Sequence, residues 1–199
     1  MTHPQGAATV LVLAAAFLTC LFGRLIASDE AIPPPETVAG VDLNRYVGVW
    51  YEIARIPNRF QKRCACDTTA AYSLAKNGDI VVVNRCRDRN GKPVMAKGIA
   101  KVTDPGTNAR LKVSFVKLLG VNLFWGDYWI IGLDREYRYA VVGSRKRKYG
   151  WILARETRID PAQREEIFHL LQEKGYDPER FEFSCQSHSP AATNPESDR

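Results

Sequence analysis

Apolar and polar positions alternate in short runs along most of the chain, with turn-forming residues between them. The first run, residues 48–56 (GVWYEIARI), is rich in β-branched and aromatic residues and ends at Pro57. Residues 68–74 and 80–86 flank Lys76-Asn77-Gly78, where Gly78 suits the left-handed position of a three-residue hairpin loop. Further runs cover residues 94–102, 110–116, 127–133, 139–144 and 150–155. The turn signals among them are Asn90-Gly91, Asp104-Pro105-Gly106 and Asp134-Arg135-Glu136. Eight such runs with short connections predict an all-β fold, either an eight-stranded up-and-down antiparallel β-barrel or a sandwich.

The period changes after the last run. Asp160 is fit to cap a helix, Pro161 to occupy its first position and Gln163 to close a capping box. Ile167, Leu170, Leu171 and Phe168 make an apolar stripe, while Arg164, Glu165, Glu166 and Glu173 face water. Gly175 is placed to end the helix. One helix with one apolar face is expected to pack on the outside of the barrel.

An eight-stranded barrel either fills with side chains or holds one small ligand. Across the Lys76-Asn77-Gly78 hairpin, Tyr72 pairs with Val82 and Ala70 with Asn84, so these four share a face. Facing inward, they combine an apolar wall with two hydrogen-bonding groups, which suits an amphiphile. Facing outward, they leave Ala71 and Val83 to fill the interior. Alternation alone leaves both open.

The ends differ from this body. Residues 7–23 carry no charge, so residues 1–28 read as a signal or leader segment. Three fates are open: cleavage near Ala27 or Ser28, lipidation at Cys20 as a candidate site, or retention as a short anchor. Residues 29–40, with three consecutive prolines, read as an extended Pro-rich linker. Residues 41–185 are the expected barrel domain, and residues 186–199 a disordered polar tail. The cysteines agree with export. Setting Cys20 aside leaves Cys64, Cys66, Cys86 and Cys185, enough for two disulfides. Cys64 and Cys66 are too close to pair comfortably, so each takes one of Cys86 and Cys185, in either of two connectivities.

Charge and histidine content narrow the chemistry. The chain has 199 residues, with 28 Lys and Arg against 22 Asp and Glu. Of three histidines, His169 alone falls in a predicted element, which leaves no multi-histidine metal site and little room for a histidine-based triad. No metal or cofactor is expected. Arg145-Lys146-Arg147-Lys148 is unusually basic for a hairpin tip. A solvated tip is the plainer reading, and association with an anionic membrane surface the alternative. Export removes nucleic acid as a partner.

Gly48-Val49-Trp50-Tyr51-Glu52-Ile53-Ala54-Arg55, continued by Asn58-Arg59-Phe60-Gln61, resembles the opening block of the lipocalins. Leu133-Asp134-Arg135-Glu136-Tyr137 and Trp151-Ile152-Leu153-Ala154-Arg155 resemble their second and third blocks. The order and spacing are similar to the bacterial outer-membrane group related to apolipoprotein D. The resemblance implies an eight-stranded up-and-down barrel with one C-terminal α-helix outside it. Gly48, Trp50 and Arg155 are then barrel-closure residues, with the Arg155 guanidinium stacked on the Trp50 ring. Tyr72, Asn84 and Trp151 fall on pocket positions, and Tyr128 and Trp129 are added as aromatics near the open end.

The leading expectation is an exported cell-envelope protein, periplasmic or outer-membrane, that holds or transports fatty acids, lysophospholipids or similar amphiphiles. A lipocalin-fold enzyme using Cys86, which shares the parity of Asn84, is the alternative. A barrel filled by its own side chains is the third reading.

Overall fold

The computed structural model describes residues 32–187. The leader, the candidate lipidation site Cys20 and the tail beyond Ser187 lie outside the described residues.

Eight long strands follow one another as antiparallel neighbours. They are β1 (Gly48–Arg55), β2 (Cys66–Leu74), β3 (Ile80–Arg87), β4 (Pro93–Val102), β5 (Arg110–Ser114), β8 (Gly126–Leu133), β9 (Tyr139–Gly143) and β10 (Gly150–Ala154). β10 pairs back onto β1, with Glu52 opposite Leu153, so the sheet closes on itself. The result is a barrel, not a sandwich. The period-two patterning located all eight of these strands to within two residues, because inward and outward positions alternate between two distinct cores. One core fills the lumen around Trp50, Tyr72, Val82, Ile130 and Val142. The other lies between the outer face and the C-terminal helix, where Ile131, Val141 and Ile152 meet Ile167 and Leu171.

That helix, Pro161–Glu173, starts as its sequence predicts. The Asp160 carboxylate accepts from the Gln163 backbone while the Gln163 side chain accepts from the Asp160 backbone N–H. A Cβ on Gly132 would lie 2.9 Å from Leu170, which shows how closely the helix packs on the wall.

Four features lay outside the sequence expectation. Residues 116 onward do not extend β5 but form a separate hairpin, β6 (Val116–Leu118) with β7 (Val121–Leu123). A short helix, Leu43–Tyr46, runs into β1. A two-residue strand, β11 (Glu182–Phe183), pairs with the upper part of β1. The later part of the expected linker packs on the barrel, where the Val38 N–H donates to the Ile130 carbonyl at 3.0 Å and Pro35 is buried. Among the described residues no helix is long and apolar enough to cross a membrane.

The end of the barrel where β1 begins is sealed around one cation. The Arg155 guanidinium lies 3.8 Å from the Trp50 ring centroid. It donates to the backbone carbonyls of Val49 (2.8 Å), Arg45 (2.8 Å), Val47 (2.9 Å) and Tyr46 (3.2 Å). The Trp50 indole N–H donates to the Tyr46 carbonyl at 2.8 Å. Gly48 sits at φ +97, and a Cβ there would crowd Arg155 at 3.3 Å. The cost of burying the cation, which holds the Arg155 pKa below its usual value, is offset by these acceptors.

The disulfides resolve the open connectivity as Cys64–Cys86 and Cys66–Cys185. They span sequence separations of 22 and 119, so they constrain the unfolded chain unequally.

Two predictions follow from the closed end and the disulfides. Arg155→Ala should destabilise by about 2–4 kcal/mol in urea unfolding, because it orphans several carbonyls and uncovers an indole; an unchanged midpoint would contradict this role. Removing Cys66–Cys185 should cost about 5 kcal/mol and removing Cys64–Cys86 about 3.5 kcal/mol on the chain-entropy scale. Denaturation of the two double-alanine variants gives the order, and the reverse order would contradict it.

Candidate functional site

Register decides the face that alternation left open. Trp50 pairs with Ala70, Ala70 with Asn84 and Asn84 with Ala96, and Trp50 lies in the inner core. Directly paired residues share a face, so Ala70, Asn84 and Ala96 point into the lumen. By the same pairing Gly48, Tyr72, Val82 and Gly98 form the neighbouring inward row.

These rows change character with height. Toward the closed end the lumen is packed solid. Tyr46, Trp50, Tyr72, Val82, Leu111 and Ile130 are all less than 10% exposed, and the space left among them is about 10 Å³, room for one water at most. Toward the other end the inward residues are small and reached by solvent. Ala70 and Asn84 are half-buried, and Ala96 is exposed although it points into the barrel. Gly98 leaves space that the Phe115 ring occupies, at 2.6 Å from where a Cβ would stand. The upper half is therefore an open cup, and the lower half is its floor.

Three tyrosines make the top of that floor. The Tyr128 hydroxyl is 2.8 Å from the Tyr46 hydroxyl and 2.8 Å from that of Tyr72. Burial pushes the Tyr72 pKa up to about 12 and those of Tyr46 and Tyr128 well above their ordinary value. The hydroxyls stay protonated, so the floor is polar but neutral. Higher in the wall, the Asn84 Oδ1 is buried with no hydrogen-bond partner. Such an orphan is rare in folded proteins and carries a desolvation cost unless something donates to it.

A second polar group braces the mouth. Glu52, opposite Leu153 and 2% exposed, accepts from the Ser184 hydroxyl (2.6 Å) and the Gln61 side-chain amide (2.5 Å) and pairs with Arg55. The Gln61 carbonyl oxygen accepts from the Trp151 indole N–H (2.9 Å) and from Asn58 (2.8 Å). The stretch Asn58–Gln61 thus ties the first loop to the wall and fixes the Trp151 ring, which also stacks on Tyr149 with centroids 6.1 Å apart.

The structure brings Tyr72, Asn84, Tyr128 and Trp151 to the lumen, but not at one level. Tyr128 is in the floor, away from the open end where it was expected. Trp151 stands in the upper wall, opposite Arg55. Trp129 is a correction. It pairs with Gly143 and Arg110, turns outward, lies in the core under the helix and carries the Arg110 guanidinium 4.9 Å from its ring. Its parity is opposite to that of its neighbour Tyr128, so both could not line the cup. Cys86 is bonded to Cys64 and offers no free thiol. Tyr46 and Phe115 were missed, the first because a four-residue helix has no periodicity, the second because its strand ends one residue earlier. Glu52 was quoted within its block without a role. A recess of about 280 Å³ also exists outside the barrel, between Ile53, Pro161 and Phe183, apart from the cup.

The family profile described as a lipocalin-like domain matches residues 41–186. The chain belongs to the lipocalin family. It is 36% identical to temperature-induced lipocalin-1 of Arabidopsis thaliana over 80% of this chain and 87% of that protein. It is 37% identical to outer membrane lipoprotein Blc of Escherichia coli K12, over 79% of this chain and 88% of that one. Mouse apolipoprotein D is 32% identical over 79% and 84%. Among solved structures, insecticyanin from the tobacco hornworm superposes with a TM-score of 0.64 at 21% identity, covering 79% of this lipocalin and 87% of that chain. This last likeness concerns the fold.

The tyrosine floor carries its own test. Tyr128→Phe leaves two buried hydroxyls without their shared partner and should cost about 1–3 kcal/mol. The raised pKa values set the alkaline behaviour. The unfolded chain gives up its tyrosine protons first, so stability is complete below about pH 10 and falls as pH rises toward the folded-state values. Thermal melts of the wild type and Tyr128→Phe between neutral pH and pH 12 check both, and a melting temperature that ignores alkaline pH would contradict the buried network.

Proposed function

We propose that this lipocalin is a carrier for fatty acids, lysophospholipids or similar single-chain amphiphiles in the cell envelope, and that it works by binding, not by catalysis. The observation that carries the reading is the open upper half of the barrel. Its wall of Ala70 and Ala96 points inward yet leaves room, over a floor too full to admit a ligand. An acyl chain entering head-last would lie against this wall, the Phe115 ring and the Trp151 indole. Each methylene removed from water contributes about 0.8 kcal/mol. The half-buried Asn84 amide offers a hydrogen-bonding group to a ligand hydroxyl, such as a glycerol hydroxyl, once its side chain turns toward the cup. The head group would remain at the mouth, near the basic loops. The Cys64–Cys86 bond removes the one nucleophile considered for an enzyme. The name of the Escherichia coli relative, an outer membrane lipoprotein, supports the envelope reading.

Native mass spectrometry of protein from its own host should show single-chain lipids bound. In titrations followed by tryptophan fluorescence, affinity should fall about fourfold per methylene removed from the chain. Ala96→Phe, which fills the cup without touching the floor, should weaken binding at least about tenfold while the melting temperature holds, as expected when about 1.4 kcal/mol of contact is lost. Affinity that ignored both chain length and Ala96→Phe would overturn the carrier reading.

A further inference from the structure

The four loops around the open mouth differ in kind from the three at the closed end. They join β1 to β2 (residues 56–65), β3 to β4 (88–92), β5 to β8 (115–125) and β9 to β10 (144–149). Together they hold ten basic residues and one acidic residue, Asp88. The three closed-end loops, residues 75–79, 103–109 and 134–138, hold three basic and four acidic. None of the ten mouth cations makes an ion pair with a described carboxylate. The positive charge of these seven loops is thus concentrated at one end.

Exposed apolar side chains are gathered at the same end. The β6–β7 hairpin and its flanks present Val116, Leu118, Leu119, Val121 and Phe124, and the first loop presents Phe60 at 64% exposure. Leu119 at 95% and Phe124 at 81% are the most exposed large apolar residues described. Both sit in the left-handed backbone region, at φ +48 and φ +56, where Asn or Gly costs less. Local backbone preference and hydration each disfavour these two residues where they stand, so their presence needs a contact outside the fold.

From this placement we infer that the mouth of the barrel docks on an anionic phospholipid bilayer, with the β6–β7 hairpin entering the interfacial layer and the surrounding Arg and Lys residues meeting the head groups. Interfacial binding scales with inserted apolar area and with attraction of basic residues to anionic lipid, and both terms are supplied by one surface here. A second copy of this chain is a poor occupant, because mouth-to-mouth pairing opposes two rings of like charge. The docked cup would open directly onto the lipid, a consequence that rests on the carrier reading; the docking itself does not.

Flotation of the full chain with vesicles tests this. Phosphatidylglycerol-containing vesicles should be bound and phosphatidylcholine vesicles much less, and added salt should weaken the binding. Any part played by residues 7–23 is common to all variants. The Leu119→Asn/Phe124→Ser double variant suits the local backbone and should lose about tenfold or more in vesicle affinity, the equivalent of burying one large apolar side chain. Charge reversal at Arg145, Lys146 and Lys148, which spares the Arg147 bond to the Lys174 carbonyl, should do the same and flatten the salt dependence. Wild-type vesicle affinity in both variants would overturn the inference. So would a concentration-dependent dimer that the hairpin variant disperses, with no vesicle binding. Docking without acyl-chain binding in solution would support the inference and overturn the carrier reading, and chain binding without docking would do the reverse.

Discussion

The barrel depends on the arginine that plugs its narrow end. Arg155 is the first residue after the closing strand, and its guanidinium is shared among the carbonyls of Arg45, Tyr46, Val47 and Val49 and the face of Trp50. This ties the two strands whose pairing closes the sheet. Once they are tied, parity along every other strand is determined, because a one-residue slip would move the inner set to the outside. The placement of Tyr72, Asn84 and Ala96 in the lumen follows from the pairing of Trp50 with Ala70.

Closure alone would give a solid plug of side chains. A cup results because residue size changes along the inward rows. Tyrosines, tryptophan and branched aliphatics fill the lower half, and Ala70, Ala96 and Gly98 line the upper. The filled-barrel reading thus describes the lower half, and the open-cup reading the upper. The hydroxyl chain through Tyr128 makes the boundary between them a neutral polar surface, one that an apolar chain end can meet without displacing a charge. Bracing of the mouth by Glu52 and Gln61 keeps the Trp151 ring in place over an otherwise open site.

Much of this architecture was legible in the sequence. Alternation marked the eight long strands, and the capping residues marked the helix, because both signals come from local geometry. Trp50 and Arg155 were legible through the resemblance of their blocks. What escaped depends on tertiary placement. Tyr128 and Trp129 are adjacent aromatics, and only the register with β5 and β9 shows that one faces the lumen and the other the helix. Residues 115 and 116 read as the end of a strand, since no local signal distinguishes an apolar strand end from the start of an apolar hairpin outside the sheet. The disulfide partners became clear only when β11 brought Cys185 beside Cys66. The basic tip at Arg145–Lys148 reads as a solvated turn in sequence, and only the barrel topology shows that it shares the open end with the exposed β6–β7 hairpin.

The central claim is that an acyl chain enters the upper half and stops at the tyrosine floor. A stearic acid carrying a nitroxide near its methyl end, added to isotope-labelled protein, tests it most directly by NMR. The account predicts that paramagnetic broadening is strongest at Tyr72, Tyr128, Asn84 and Ala96 and falls off toward the outer face of the C-terminal helix. Broadening centred on Trp129 and the helix, or none inside the barrel at saturating ligand, would contradict it.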